Sequence, residues 1–599
     1  MKFIKIVLGT LVGIIVFFTI MFVMFMIVVG ISAAAGGGEK DTVKANSVLK
    51  LNLKNAISER TLEDPLAMLN GPLGGGSSET LGLNDVVTAL EKAQTDDKIK
   101  GIYLNLTGVP TGMASSDVIR EAIEDFKEGS DKFVIAYSEA LTQKGYYMAS
   151  VADEVYINPH GYMDIRGFGG KLTFFKGLLD KIGVEPQVYY AGKFKSATEP
   201  FRRTNMSEAN REQTKEFLGD FRERMVNTIA SSRKMSPEAV SDIMRNMKVR
   251  KAEDAKVLGL VDDTVYEDQF LSILRDKMGI TDEDKKINYV SLSKYAKSGS
   301  DKKKKKKKKG ASKDKIAVIY AYGNIIMGEG ENGKIGSDSY AKLIRKIRKD
   351  DDIKAIVLRV NSGGGSAFSS EIILRELELA GIRVPIIASF GDVAASGGYY
   401  IAAYADTILA QPNTITGSIG VFGMMPNAQK LLNEKLGVTF DTVKLDKFSD
   451  FGGIDRPMSD EEGMIIQTEI DRIYRIFKER VAKGRGLDMA VVDELAQGRV
   501  YSGSDAMELG LVDVMGDLSD AIDIAATKAN LGDNYKIKEY PTVKDPFEEF
   551  IKELSGQTTM KFEERIAEEL GIDIEYIKTI KSMKQWQGAQ ARLPYTIQF

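Results

Sequence analysis

The chain has 599 residues, 43% hydrophobic and 28% charged, with a formal net charge of −3; that is enough for two or more domains with full cores, and no global field points to nucleic acid. It has no cysteine and one histidine, His160, which excludes thiol nucleophiles, disulfides, cysteine–zinc sites, iron–sulfur clusters and two-histidine metal motifs. A hydrolase built from this chain must work with Ser, Thr, Lys, Asp, Glu or Tyr.

The first element is apolar. After Lys2 and Lys5 no charge occurs until Glu39, and the run from Ile6 to Ile31 exceeds the ~20 residues that a bilayer span needs. It is also longer than the apolar region of a secretory signal. Residues 1–35 are therefore predicted to form an uncleaved transmembrane anchor, although "SAAAGG" after the run could serve as a cleavage site. Lysines before the span favour a cytoplasmic N-terminus and an exported body.

Beyond the anchor the chain is written twice. "DDKIKGIYLNL" (96–106) returns as "DDDIKAIVLRV" (350–360), and "KGYYMASVADEVYINP" (144–159) returns as "GGYYIAAYADTILAQP" (397–412). "KGLLDKIGV" (176–184) matches "KLLNEKLGV" (430–438), and "AEDAKVLGLVD" (252–262) matches "SGSDAMELGLVD" (502–513); the four offsets are 254, 253, 254 and 251. So constant a register marks a duplicated domain, one copy over 45–295 and the other over 315–540. In each copy β-branched runs alternate with helix-period segments, the grammar of βαβ units and a mostly parallel sheet. The link between the copies, 296–314, holds eight consecutive lysines, Lys302–Lys309. A like-charge block flanked by Gly and Ser reads as a solvated linker, with contact to anionic lipid or substrate as the alternative. Residues 541–599 read as a charged, helical C-terminal extension.

In the second copy, "AIVLRVNSGGGSAF" (355–368) sets three glycines after a strand, free to turn backbone N–H groups toward one point, as an oxyanion hole requires. A phosphate loop is disfavoured because no "GKS" or "GKT" follows; a bare structural turn stays open. Ser396 comes after the strand "VPIIASF", at the start of a helix-like "GGYYIAAYAD". The N–H of Gly397 would face a carbonyl attacked by Ser396; a simple serine N-cap is the rival. In the first copy Ser396 corresponds to Gln143, and the triple glycine to "GVPTG". Only the second copy has the features of a nucleophile.

A base must then be found. His160 lies in the first copy's "NPHGYM" and reads as a loop residue. A buried lysine can replace histidine when its pKa falls from ~10.4 toward neutrality. In "VYYAGKFKSATEPFRR" (188–203), Lys193 matches Lys447 across the duplication, whereas Lys195 matches Ser449. Lys195 is thus special to the first copy as Ser396 is to the second.

Together "GKFKSATEPF", "NSGGGS", "AASGGYY" and "TGSIGVFG" resemble the long, duplicated form of signal peptide peptidase A, serine peptidase family S49, over nearly the whole exported part. The resemblance implies a duplicated α/β fold of the Clp protease and crotonase type. It also implies a Ser–Lys dyad of Ser396 and Lys195, with Ser418 orienting the lysine and Gly364 and Gly397 supplying the oxyanion donors. Gly363 stands where the family usually has proline. The same resemblance implies no cofactor or metal, and a homotetramer at the bacterial inner membrane with its catalytic part outside the cytoplasm. Its implied substrates are signal peptides left in the bilayer. Two other readings share the fold: an acyl-thioester enzyme or binder, and a non-catalytic membrane-tethered peptide-binding scaffold.

Overall fold

The computed structural model describes residues 43–61, 81–282, 286–298, 313–330, 333–542 and 589–592, with scattered residues between Gly13 and Met24. The anchor expectation falls mostly outside this set, as do Lys302–Lys309. The described residues between Gly13 and Met24 are helical, and among the described residues no helix is long and apolar enough to cross a membrane.

The first copy supplies β1 (Ser47–Leu51), β2 (Ile99–Leu104), β3 (Phe133–Leu141), β4 (Glu154–Met163), β5 (Glu185–Ala191), β6 (Asp263–Thr264) and β7 (Asn288–Ser291). The second supplies β8 (Lys315–Tyr322), β9 (Asn324–Ile326), β10 (Lys334–Gly336), β11 (Ile353–Ser362), β12 (Gly364–Ser366) and β13 (Ile386–Ala395). It continues through β14 (Thr407–Ala410), β15 (Ile415–Gly417), β16 (Val421–Asn427), β17 (Val500–Ser502), β18 (Val514–Met515) and β19 (Lys536–Tyr540). A last strand, β20 (Gln590–Arg592), comes from the segment read as helical extension.

Among the described residues these strands form three sheets. One runs β6-β4-β3-β2-β1-β7, all parallel. Its counterpart runs β17-β15-β13-β11-β8-β19, parallel except between β15 and β17. Helices cover both faces, so the central strands are buried throughout; β11 reads IKAIVLRVNS with only Lys354 and Asn361 less than fully buried. Such continuous apolar runs are what parallel sheets select. The duplication survives in detail: Tyr399 OH donates to Leu511 O at 2.9 Å, and Tyr146 OH to Leu260 O at 2.6 Å. Each bond ties the short helix after the third long strand to the matching "LGLVD" turn.

The third sheet is mixed and joins the copies, in the order β10-β9-β12-β20-β16-β5. Strand β5 of the first copy lies antiparallel to β16 of the second over seven residue pairs, from Val421–Ala191 to Asn427–Glu185. Buried polar contacts add to this junction. Arg359 meets Glu59 at 2.7 Å with both side chains under a tenth exposed, Asp392 accepts from the N–H and hydroxyl of Ser115 at 2.8 and 2.7 Å, and Asn413 donates to Asp117 at 2.7 Å. Any group placed at the end of β5 is therefore held against the second copy.

Candidate active site

Lys195 lies in the turn that follows β5. Gly192 turns the chain with φ +109°, and the next residues lean on the second copy: Phe194 N–H donates to Gln497 O at 2.7 Å, and Lys193 N–H to Gln497 Oε1 at 3.3 Å. Gly498 must be glycine here. Its φ is +75°, and a Cβ would stand 2.7 Å from Lys195 N and Cβ. From below, fully buried Gln213 in the helix Glu208–Arg233 donates to Phe194 O and Ser196 Oγ, both at 3.0 Å. Its own carbonyl oxygen accepts from Val500 N–H at 3.3 Å. Lys195 is thereby fixed on both flanks, with its side chain 1% exposed.

Ser396 ends β13. Its N–H donates to Gly417 O at 2.8 Å, and its backbone lies at φ +56° and ψ −117°. A non-glycine residue there stores about 1–3 kcal/mol of strain, and the turn starts the helix Gly397–Ala402. The small neighbours have a definite purpose. A Cβ on Gly398 would stand 2.4 Å from Ser362 O, and one on Gly397 3.1 Å from Gly364 Cα. The glycine loop thus passes directly over the helix start, so close packing and a reactive position coincide.

The lysine amine reaches the serine across the copies. Lys195 Nζ is 2.9 Å from Ser396 Oγ, 3.0 Å from Ser418 Oγ and 3.0 Å from Ser418 O. Burial alone pushes the Lys195 amine well below the usual lysine range. A neutral amine has two hydrogens and one lone pair. It can donate to the two Ser418 oxygens and accept the Ser396 hydroxyl proton, which is the arrangement a general base needs. Ser418 is itself set by φ +51° and by its N–H donating to Arg499 O at 2.6 Å.

The glycine loop flanks this pair. Gly364 has φ +94°, and a Cβ there would stand 2.6 Å from Gly397 N. The Gly364 N–H is turned to Ser362 Oγ at 3.1 Å, and that hydroxyl donates to Gly323 O at 2.6 Å. Gly397 N–H opens its helix and has no carbonyl one turn back to satisfy it.

The other lysines and the histidine are elsewhere. Lys193 is exposed beside the Phe194 ring, and Lys447 is exposed and paired with Glu461. His160 lies exposed within β4, not in a free loop, with its ring 6.3 Å from Tyr266. In the first copy, Gln143 Oε1 accepts from Gly167 N–H at 2.8 Å and Arg166 N–H at 3.2 Å, so an amide closes the place of the serine. Among the described residues no group of His, Asp and Glu could hold a metal ion. Sequence reasoning missed Gln213, Gln497 and Gly498. The "QGRVY" run (497–501) was a usable sign, whereas a glutamine inside a long polar helix carried none.

The comparisons with known proteins find one family twice along the chain. The model for "Peptidase family S49" matches residues 127–281 and 379–532, so Lys195 falls in the first matched region and Ser396 in the second. Protease 4 of Haemophilus influenzae is 35% identical over 94% of this chain and 92% of its own. Protease 4 of Salmonella typhi is 34% identical over 85% of this chain and 83% of its own, and the chloroplastic serine protease SPPA of Arabidopsis thaliana 33% over 83% and 71%. A ClpP1 mutant from Listeria monocytogenes covers 34% of this chain at 15% identity with a TM-score of 0.24, too low to argue from. With two matched regions and relatives that span nearly its whole length, the chain belongs to peptidase family S49 and is a serine peptidase.

Proposed function

We propose that the chain is a membrane-anchored endopeptidase that hydrolyses signal peptides and similar apolar peptides with a Ser396–Lys195 dyad. The observation that carries this reading is the buried Lys195 amine 2.9 Å from Ser396 Oγ, with the two Ser418 oxygens as its other hydrogen-bond partners. Neutral Lys195 takes the Ser396 proton as Oγ attacks the peptide carbonyl. The oxyanion is met by the N–H groups of Gly397 and Gly364; as a charged acceptor it outcompetes the Ser362 hydroxyl for the latter. Protonated Lys195 then donates to the leaving amine, and water hydrolyses the acyl-enzyme. Ser418 keeps the amine aimed through this cycle.

The dyad is shared between the copies, so each copy alone lacks half of the chemistry. The apolar run Ile6–Ile31 would tether the site where spent signal peptides lie and raise their effective concentration. The Clp and crotonase type of fold, an exported catalytic part and the homotetramer belong to the same proposal. The test is degradation of a synthetic signal peptide in lipid vesicles by the full chain, followed by mass spectrometry. Cleavage by wild type and its loss in Ser396→Ala and Lys195→Ala are expected. Cleavage that persists in Ser396→Ala overturns the proposal.

A further inference from the structure

Between Ser396 and the glycine loop the sheet is irregular. Phe390 of β13 pairs with Val360 of β11 and Ala394 with Ser362, which leaves Gly391, Asp392 and Val393 opposite Asn361 alone. Such a bulge re-aims the strand beyond it. Beyond it here lie Ala394 and Ala395, paired with Thr416 and Gly417 of β15, and then Ser396. Along β11 the residue after Asn361 is Ser362, whose hydroxyl meets Gly364 N–H. The nucleophile and the glycine loop therefore leave the bulge on its two strands, and its shape sets how they stand to each other.

The first copy holds this bulge at two points. Glu59 Oε1 accepts from Asn361 Nδ2 at 2.7 Å, and a Cβ on Gly391 would stand 2.6 Å from the same oxygen. Asn361 Oδ1 in turn accepts from Val393 N–H at 3.2 Å. Asp392 reaches into the start of the first copy's helix Met113–Glu128, where Oδ1 accepts from Ser115 N–H at 2.8 Å and Oδ2 from Ser115 Oγ at 2.7 Å. That helix has Gly112 at its N-cap, with no side-chain bond, and no acidic residue in its first turn. Its free N–H groups and the positive end of its dipole are thus met by a carboxylate of the other copy. The duplication makes the contrast explicit. At the offset of 254, Gly112 corresponds to Ser366 and Ser115 to Ser369. In the second copy Ser366 caps its own helix, its Oγ accepting from Ser369 N–H at 3.3 Å. A Cβ on Gly112 would stand 2.0 Å from Asp392 Cγ, so a side chain there would displace the carboxylate.

We infer that Asp392 is a positioning residue for the peptidase reaction: docked on the first copy's helix start, it fixes the bulge that sets Ser396 against the Gly364 loop. The inference rests on the peptidase reading and gives the first copy a second part in the chemistry, besides supplying Lys195. Asp392 touches no reacting atom. Its loss lets the bulge relax, and a displacement of about 1 Å between nucleophile and oxyanion donors costs up to about 100-fold in rate. The lysine is held by other contacts, from Gln213, Gln497 and Ser418, so its titration is untouched.

The test is hydrolysis of an apolar fluorogenic peptide by the full chain in detergent, with kcat and KM measured across pH and a thermal melt run on each variant. Asp392→Ala should lower kcat about 10- to 100-fold, with KM nearly unchanged and the acidic limb of the pH profile in place. Asp392→Asn keeps an acceptor for Ser115 N–H and should stay within about threefold of wild type. If Asp392→Ala does not fold, Ser115→Ala probes the same contact from the first copy. It removes one bond and should lower kcat about three- to tenfold in the same pattern. A folded Asp392→Ala with wild-type kcat overturns the inference while the peptidase reading stands. So does a loss that appears in KM or moves the acidic limb, and so does an Asp392→Asn as slow as Asp392→Ala. Where Asp392→Ala unfolds, a wild-type kcat in Ser115→Ala overturns it. If wild type cleaves nothing, or cleavage persists in Ser396→Ala, the peptidase reading fails and takes the inference with it.

Discussion

Ser418→Ala removes one of three oxygens around the Lys195 amine and leaves the other two, Ser396 Oγ at 2.9 Å and Ser418 O at 3.0 Å. The buried amine then has one hydrogen-bond partner fewer, a loss of about 1–3 kcal/mol. At about 1.4 kcal/mol per decade, this corresponds to a fall in kcat/KM of about 5- to 150-fold. The pH profile carries the more specific signature. A protonated lysine needs three acceptors and a neutral one needs two, so losing the Ser418 hydroxyl harms the charged form more. The Lys195 pKa, already depressed by burial, should fall further, moving the acidic limb of kcat/KM to lower pH while the plateau drops. The assay is hydrolysis of an apolar fluorogenic peptide in detergent from about pH 5 to about pH 10. An unchanged plateau, or a limb that moves upward, would refute the role given to Ser418.

Three further outcomes follow from the same geometry. Lys195→Met should abolish hydrolysis yet raise thermal stability, because each unit of pKa depression costs about 1.4 kcal/mol at neutral pH. The sign is definite: with the folded pKa lowered, the unfolded chain binds the extra proton, so wild-type stability rises with pH until about 10.4, and the gap to Lys195→Met should narrow on that rise in calorimetric melts. Gly498→Ala places a Cβ 2.7 Å from Lys195 at φ +75° and should cost about 2–4 kcal/mol in denaturant melts, with a drop in kcat larger than any change in KM. Glu59→Ala leaves Arg359 charged and buried, 3% exposed, and should cost about 3–5 kcal/mol; chemical denaturation checks this, and an effect near zero would mean that the pair does not hold the copies together.

Much of the architecture could be read in advance because parallel sheets write themselves locally. "AIVLRV" became part of β11, and the strand "VPIIASF" runs on as β13 to Ala395, one residue before Ser396. The register of the duplication also singled out Lys195 and Ser396 as features without a counterpart. The mixed sheet was not legible. The pairing of β5 with β16 and the insertion of β20 join residues hundreds of positions apart, and edge pairing is set by docking, not by local pattern. The lysine's supports were hidden for a similar reason. Gln213 acts through an amide buried by tertiary packing, and in the sequence it looks like any other polar helix residue. The "GGYY" helix was also shorter than its apolar run suggested, ending at Ala402.

The central claim is that a buried, neutral Lys195 activates Ser396 across the two copies. The pH dependence of fluorophosphonate labelling, compared between wild type and Lys195→Met, tests it most directly. The account predicts modification of wild type at Ser396, with a rate that rises through a lysine pKa well below 10.5, and a slow rate without that rise in Lys195→Met. Equal rates in the two proteins, or modification at a different serine, would contradict it.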